Sequence, residues 1–382
     1  MLLSKTDAYY AANVFEDFFA NFDRIDDYMR KVKMERMSTF PASLPGMGPE
    51  TDLFNKFDIH PKDMEFNIVP VTQSQFMIYM DLITSAPVEK SIPGKQMLLL
   101  IKEKGTGTVV GGLRFGSPTI NSRPRNEFLG KPLDTRNADT MSRLNDSCTM
   151  LFNCVPVQPA LGFNMLGGKL LAAIASSHYV RRLLNKKYGS NICMMETTSL
   201  YGDAKGGVSM YSGMKPILLG NGQTDSAFAP LINDQNFRKL NGWFKERNEG
   251  NSLVPVDASS RKLKTQQKMV SVIKASLKLH DIDAYDKFCK IYKGALDLTQ
   301  RKNSYYSCYG YDRNSVKSYL NLERDTLIKA DNWDRFELEN IIEWWKNKAE
   351  KRYVNLKADG RLRTPSVPET WNVNPEDIDI IR

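Results

Sequence analysis

Residues 147–187 constrain the fold more than any other stretch. SCTMLFNCVPV (147–157) is an apolar run of strand length, and QPALGFN (158–164) breaks it with proline and glycine. From Met165 to Lys187, the residues Leu166, Leu170, Ile174, Val180 and Leu184 then recur at helical spacing up to a stop at Gly189. Near-continuous apolarity predicts a strand buried on both faces, and the stripe predicts one helix lying against it. A strand that bends into a helix in this way aims several backbone N–H groups and the positive end of the helix dipole at one spot, which suits phosphate or another anion. The bend offers Gly162, Phe163, Asn164, Gly167 and Gly168, with Lys169 one residue into the helix. It is neither a P-loop, since Leu170 stands where a hydroxyl is needed, nor GxGxxG. The alternative is a plain strand-to-helix turn whose glycines permit close packing.

Strands and helices continue on both sides. FNIVPV (66–71) reads as a strand and TQSQFMIYMDLITSA (72–86) as a helix; QMLLLIKE (96–103) and TVVGGLRFG (108–116) around GTG (105–107) read as a hairpin. Residues 117–146 are polar and punctuated, the pattern of a long insertion. NICMMETTSL (191–200) and PILLGNG (216–222) are further strands, separated by the turn-rich 201–215. An amphipathic helix is expected over 14–36, followed by the breaker-rich 39–50, and the polar region beyond 226 reads as helical with an extended tail at 364–382. Three parts follow: 1–65, 66–225 and 226–382.

Composition excludes several classes. In 382 residues, 41% hydrophobic and 25% charged, no apolar run approaches the roughly 18–20 residues of a membrane helix. The N-terminus is acidic and aromatic where a signal peptide is apolar, so a cytoplasmic chain without membrane contact is expected. The five cysteines form no CxxC, which points to free thiols, and the three histidines lack metal spacing. GxSxG is absent too, so a serine hydrolase has no support. The net charge of +9 is concentrated: residues 261–302 hold eleven basic and four acidic side chains. Lys262, Lys264 and Lys268 there could follow the phosphates of nucleic acid, with Tyr305, Tyr306, Tyr309 and Tyr311 stacking on bases. The bland alternatives are a solvated helix face and aromatic core packing.

The order strand, helix, hairpin, strand, glycine bend, helix, strand, short helix, strand over 66–222 resembles the GNAT acyltransferases. A narrower resemblance, carried by GGLRFGSP (111–118), the Asn164-containing bend, METTSLYG (195–202) and MYSGMKPILLG (210–220), is to the Druantia DruA-like family, related to the phage Mom DNA-modification proteins. It implies an α+β fold, a mixed and mostly antiparallel sheet flanked by helices; the residue patterns add a helical segment at the N-terminus and a helical, basic region at the C-terminus. It also implies a phage-type DNA-modification or anti-restriction role, with acyl-coenzyme A as donor and an amine of a DNA base as acceptor. The donor would lie along Val155 and Val157 and on Gly162, Phe163, Asn164, Gly167, Gly168 and Lys169. One departure is plain: relative to the Q/R-x-x-G-x-G/A bend of the GNAT acyltransferases, an extra residue separates Gln158 from Gly162. A core of the same shape that binds nucleic acid without catalysis is the alternative.

Glu196, on an otherwise apolar strand, must be paired or used. It is either a general base or half of an ion pair with a residue such as Arg114 or Arg143. Tyr211 is either the acid that protonates the leaving thiolate or a core aromatic. Asn164 is a ligand residue or an N-cap. Arg114 and Ser117, beside the insertion, are candidates for substrate contact.

Overall fold

A computed structural model of the chain describes residues 1–38, 57, 59–83, 94–199, 209–227, 229–258, 261–299 and 301–363. The stretches 39–50, 201–208 and 364–382, which carry the expected breaker region, part of the turn-rich segment and the tail, lie outside these residues.

The amphipathic pattern over 14–36 forms two helices, α1 (Lys5–Phe19) and α2 (Ile25–Ser38). Side chains compete with the helical ladder between them: the Asn21 amide donates to the Asp17 carbonyl at 2.8 Å, and the Arg24 amide donates to the Asp27 carboxylate at 3.2 Å. β1 (Phe66–Pro70), α3 (Gln73–Ile83), β2 (Gln96–Glu103) and β3 (Val109–Gly116) follow as expected. The hairpin turn between β2 and β3 is held by the Glu103 carboxylate, which accepts from the Gly105 and Thr106 amides at 3.1 and 2.7 Å. The insertion at 117–146 is not irregular. It holds α4 (Arg123–Leu129) and α5 (Ala138–Ser147), started by Ser122 and Asn137, whose side chains cap the amides of Arg125 and Thr140.

β4 (Cys148–Pro156) leads to a short helix, α6 (Pro159–Asn164), and then to α7 (Gly167–Ala175) and α8 (His178–Tyr188). The single helix expected over 165–187 is therefore divided. The Ser176 hydroxyl bonds back to the Ala172 carbonyl at 3.0 Å, and the Ser177 hydroxyl accepts from the Val180 amide at 3.2 Å, starting α8. β5 (Met194–Thr198) and β6 (Leu219–Ala227) come next, then α9 (Asp234–Arg247), α10 (Arg261–His280) and α11 (Ile282–Asp297). The last part is not wholly helical: β7 (Arg301–Ser307) precedes α12 (Arg313–Leu320) and α13 (Leu338–Ala358). Its alternating, tyrosine-rich residues suit a strand once two neighbours bury them.

The seven strands form one sheet in the order β1-β2-β3-β4-β5-β7-β6. Every pair is antiparallel except β4 and β5. Alternation along β2 assigns the faces: Met97, Leu99 and Ile101 join the main core with Leu170 and Leu171 of α7 and Trp345 of α13. Leu98 and Leu100 instead meet Phe76, Met77 and Met80 of α3. A separate apolar cluster joins the N-terminal helices to residues 232–295, with Phe15, Phe18 and Phe19 of α1 packed among Met269, Ile273, Phe288 and Tyr292 of α10 and α11. No helix among the described residues is long and apolar enough to cross a membrane.

Candidate functional site

The site begins where the two parallel strands part. β4 pairs with β5 only from Cys148↔Met194 to Leu151↔Thr197. The next residue, Phe152, is the extra one in a bulge, since Arg114↔Asn153 is followed by Phe115↔Leu151 in the pairing with β3. A bulge bends its strand and ends local pairing. β4 therefore stays with β3 as far as Pro156 while leaving β5, and the edge of 152–156 that faces β5 has no ladder partner among the described residues. Phe152 is 42% exposed at this fork. Val155 and Val157 pack toward Phe76 on the α3 side, so they shape the fork's floor through the backbone and do not present side chains to it.

The bend beyond β4 is pinned by α13 and the residues after it. Trp345 Nε1 donates to the Met165 carbonyl at 2.8 Å and Arg352 Nη2 to the Phe163 carbonyl at 3.1 Å, satisfying two of the carbonyls that the end of α6 leaves open. Asn164, 1% exposed, is neither a ligand residue nor an N-cap. Its amide donates to the Arg363 carbonyl at 2.5 Å and its oxygen accepts from the Arg363 amide at 3.0 Å. Arg363 in turn sets its guanidinium 3.7 Å over the Phe163 ring. Gly167 is required by close packing, because a Cβ there would lie 3.0–3.1 Å from Leu161 side-chain and backbone atoms, whereas one at Gly168 would meet open space. The N-cap of α7 is Leu166, with φ 57° and no side-chain cap.

Cations gather at this uncapped helix start. Lys169 donates to the Ser212 carbonyl at 2.6 Å. Burial, with Lys348 and Arg352 nearby, holds its pKa below the ordinary lysine value. Lys169, Lys348 and Arg352 have no carboxylate partner among the described residues. Free N–H groups, a helix dipole and uncompensated positive charge favour an anion here.

Tyr211 lies on the same side. It is buried, interacts with the Cys154 thiol and meets the Tyr305 ring edge-on at 4.9 Å, while the Tyr305 and Ser209 hydroxyls are 2.7 Å apart. Burial first, then Cys154, hold the Tyr211 phenol well above the ordinary tyrosine range, so it stays protonated. Cys154 is itself pushed up to about 12 by burial, which leaves it a thiol and a poor nucleophile.

Glu196 is elsewhere. Met195 belongs to the cluster of Tyr211, while Met194 packs with Leu129 of α4 on the other face. Glu196, two residues beyond Met194, shares that second face. Its carboxylate accepts from Arg125 Nη1 at 2.6 Å and from the Ser122 hydroxyl at 3.1 Å, with side-chain exposures of 0% for Arg125 and 5% for Glu196. Arg125 Nη2 also donates to the Thr119 and Ile120 carbonyls at 2.6 and 2.7 Å. The sheet thus separates Glu196 from Tyr211, and Glu196 anchors the 117–129 segment to β5. The partner is neither Arg114 nor Arg143. Arg143 bonds to Asp325 at 3.0 Å.

Neither substrate candidate of the hairpin opens onto the fork. Arg114 is 1% exposed and donates to the side-chain oxygen of a suitably oriented Gln96 at 2.9 and 3.2 Å; the Ser117 hydroxyl accepts from the Lys95 amide at 2.9 Å. On α10, Lys262 is neutralised by Asp234 at 2.5 Å, and Lys264 and Lys268 lie on the exposed face opposite Met269 and Ile273. Tyr305, Tyr306 and Tyr309 are buried, which makes them core residues and not stacking platforms. The residues that sequence reasoning missed are Phe152, Lys348, Arg352 and Arg363. An exposed phenylalanine beside a strand end and a basic helix were signals present in the chain, but nothing local tied them to the bend.

Among the described residues, no group of three His, Cys, Asp or Glu side chains is placed to hold a metal ion. Comparison with protein-family models, with curated proteins and with solved structures finds no match.

Proposed function

We propose that the chain is a GNAT-like acyltransferase whose donor is an acyl-coenzyme A and whose acceptor is an amine, the resemblance to the Mom and DruA-like proteins pointing to a DNA base. The observation that carries this is the fork. The one parallel pair among the described strands, in the order 1-2-3-4-5-7-6, separates at Leu151/Thr197 and opens toward an uncapped helix start with Lys169, Lys348 and Arg352 close by. A thioester donor, when bound, supplies an activated acyl group. The free edge of 152–156 can hydrogen-bond the amides of its arm as a strand would. Gly167 and Gly168 amides with Lys169, Lys348 and Arg352 suit its phosphates. Tyr211, kept protonated, can donate a proton to a departing thiolate. Glu196 is held away from this chemistry; an exocyclic base amine, neutral near pH 7, can attack the thioester without prior deprotonation, and the proton its nitrogen then sheds can return to the Tyr211 phenolate left when the thiolate takes its proton, or pass to water.

A second reading, binding without transfer, is favoured by that same loss of the carboxylate from the site. Two measurements separate them. Acetyl-coenzyme A at millimolar concentration should raise the melting temperature, since a ligand that binds only the folded state stabilises it, and Arg352→Glu with Lys348→Glu should remove the shift. Nucleosides from DNA of cells expressing the protein should carry a new acyl group that disappears with Tyr211→Phe. A donor shift without any modified nucleoside supports the second reading, and no shift with any acyl-coenzyme A rejects the first.

A further inference from the structure

A second cleft, of about 550 Å³, opens away from the fork. β7 runs antiparallel to β5, so its Ser304 end lies beside Thr198 at the fork while Ser307 and the turn to α12 lie at the other end of the sheet. Four elements meet there. Phe128 of α4 and Leu219 of β6, partly buried members of one apolar cluster, make a wall, the lining also includes Phe336, 3% exposed, and α12 supplies Arg313 and Lys317, one turn apart.

The polar groups on the α12 side are poorly compensated. Neither Arg313 nor Lys317 has a carboxylate partner among the described residues, although Lys317 is half-buried. Gly130 leaves room for the Lys317 ammonium, since a Cβ there would stand 3.0 Å from Nζ. The one acid in the cleft, Asp312, is engaged in capping α12, its carboxylate accepting from the Ser315 amide at 2.8 Å. Against the wall lies Tyr306, 1% exposed, its hydroxyl interacting with the Arg313 guanidinium. Its ring centroid is 5.1 Å from that of Phe128 and 5.5 Å from the Arg313 guanidinium carbon. Asn314 and Asn332 add amides at the rim. The cleft has the size of small-molecule sites, roughly 300–1,000 Å³, with an apolar wall, two adjacent cations and amides able to read a ring edge.

We infer that this cleft binds a nucleoside phosphate, its base against Phe128 and Leu219 and its phosphate on Arg313 and Lys317, either as a free nucleotide or as one unit of a single strand. Arginine and lysine recognise phosphate by charge-assisted hydrogen bonds, and an aromatic wall accepts any base face. The site does not depend on the acyltransferase reading.

Titration calorimetry of the full chain at low salt with deoxyadenosine 5′-monophosphate tests it. The nucleotide should bind at least about tenfold more tightly than deoxyadenosine or inorganic phosphate, and Arg313→Gln with Lys317→Gln should weaken it by about tenfold or more. Both side chains reach solvent, so the fold should tolerate the change, and the acetyl-coenzyme A shift should persist in the same variant. A twelve-nucleotide single strand that displaces the nucleotide identifies the strand as the source, and failure to displace it identifies the free nucleotide. Unchanged affinity in the double variant, no binding at millimolar nucleotide, or loss of binding with Arg352→Glu instead would each overturn the inference.

Discussion

Glu196 shows how burial decides a residue's work. A carboxylate on an apolar strand is either a reagent or a bond, and with Arg125 fully enclosed beside it the bond prevails. Replacing Glu196 by Gln leaves an uncompensated buried guanidinium, so the protein should lose about 3–5 kcal/mol in denaturant unfolding. Replacing both residues by Met should recover part of that loss, as removal of a whole buried pair usually does. Whatever transfer activity the wild type has should survive in the folded fraction, and a folded, stable but inactive Glu196→Gln would return this carboxylate to the chemistry. Lys169 carries the opposite sign. Its folded pKa is depressed by burial and by Lys348 and Arg352, so its charged form is penalised at low pH. The penalty disappears as pH rises through the depressed value, so this residue makes stability rise with pH below the ordinary lysine range. Lys169→Met should flatten that rise in a series of thermal melts. An anion at the bend prefers the charged form, and its affinity should fall over the same interval.

Among the elements, the bend between β4 and α7 was the most readable, because proline, glycine and a change from strand-like to helical spacing lie within ten residues of one another. The hairpin β2–β3 was readable for the same local reason. The bulge at Phe152 was not, since it exists only in the register between β4 and β3 and leaves no mark on either strand alone. The helices α4 and α5 were hidden by the polar, punctuated composition that their caps and exposed faces require. β7 was hidden because its burial depends on β5 and β6, which lie far upstream in the sequence. The bend's own restraint comes from still further away: Asn164 holds the backbone of Arg363. Asn164→Ala breaks both bonds and leaves buried backbone groups to be satisfied, so it should cost about 1–3 kcal/mol in unfolding experiments. Asn164→Asp keeps the acceptor for the Arg363 amide but sets a buried carboxylate oxygen against the Arg363 carbonyl, so its loss should be at least as large. Equal stability of all three proteins would show that the clamp is not formed in solution.

Over the whole molecule, the chain closes on itself twice. The helices of residues 1–38 complete a core with α10 and α11, and β7 with α13 completes the sheet and the bend begun near residue 66. In the second closure β7 is the only described strand that pairs with β6, and it also covers the outer edge of β5. A chain ending at residue 299 would expose that edge, leave β6 without a partner and uncover the surface under Trp345, which is fully buried. Loss of one tryptophan-sized contact of this kind costs about 3–5 kcal/mol, and the truncation removes many at once from a fold whose stability is about 5–15 kcal/mol. The truncated chain should therefore lack a cooperative thermal transition and bind a hydrophobic dye strongly. Adding residues 300–363 as a separate polypeptide should restore the transition if the second closure is the one that matters, because the missing strand and helix then dock on surfaces already specified for them. A cooperative, dye-free truncated protein would mean that the sheet is stable without β7, and the fork between β4 and β5 would have to be held by contacts other than these.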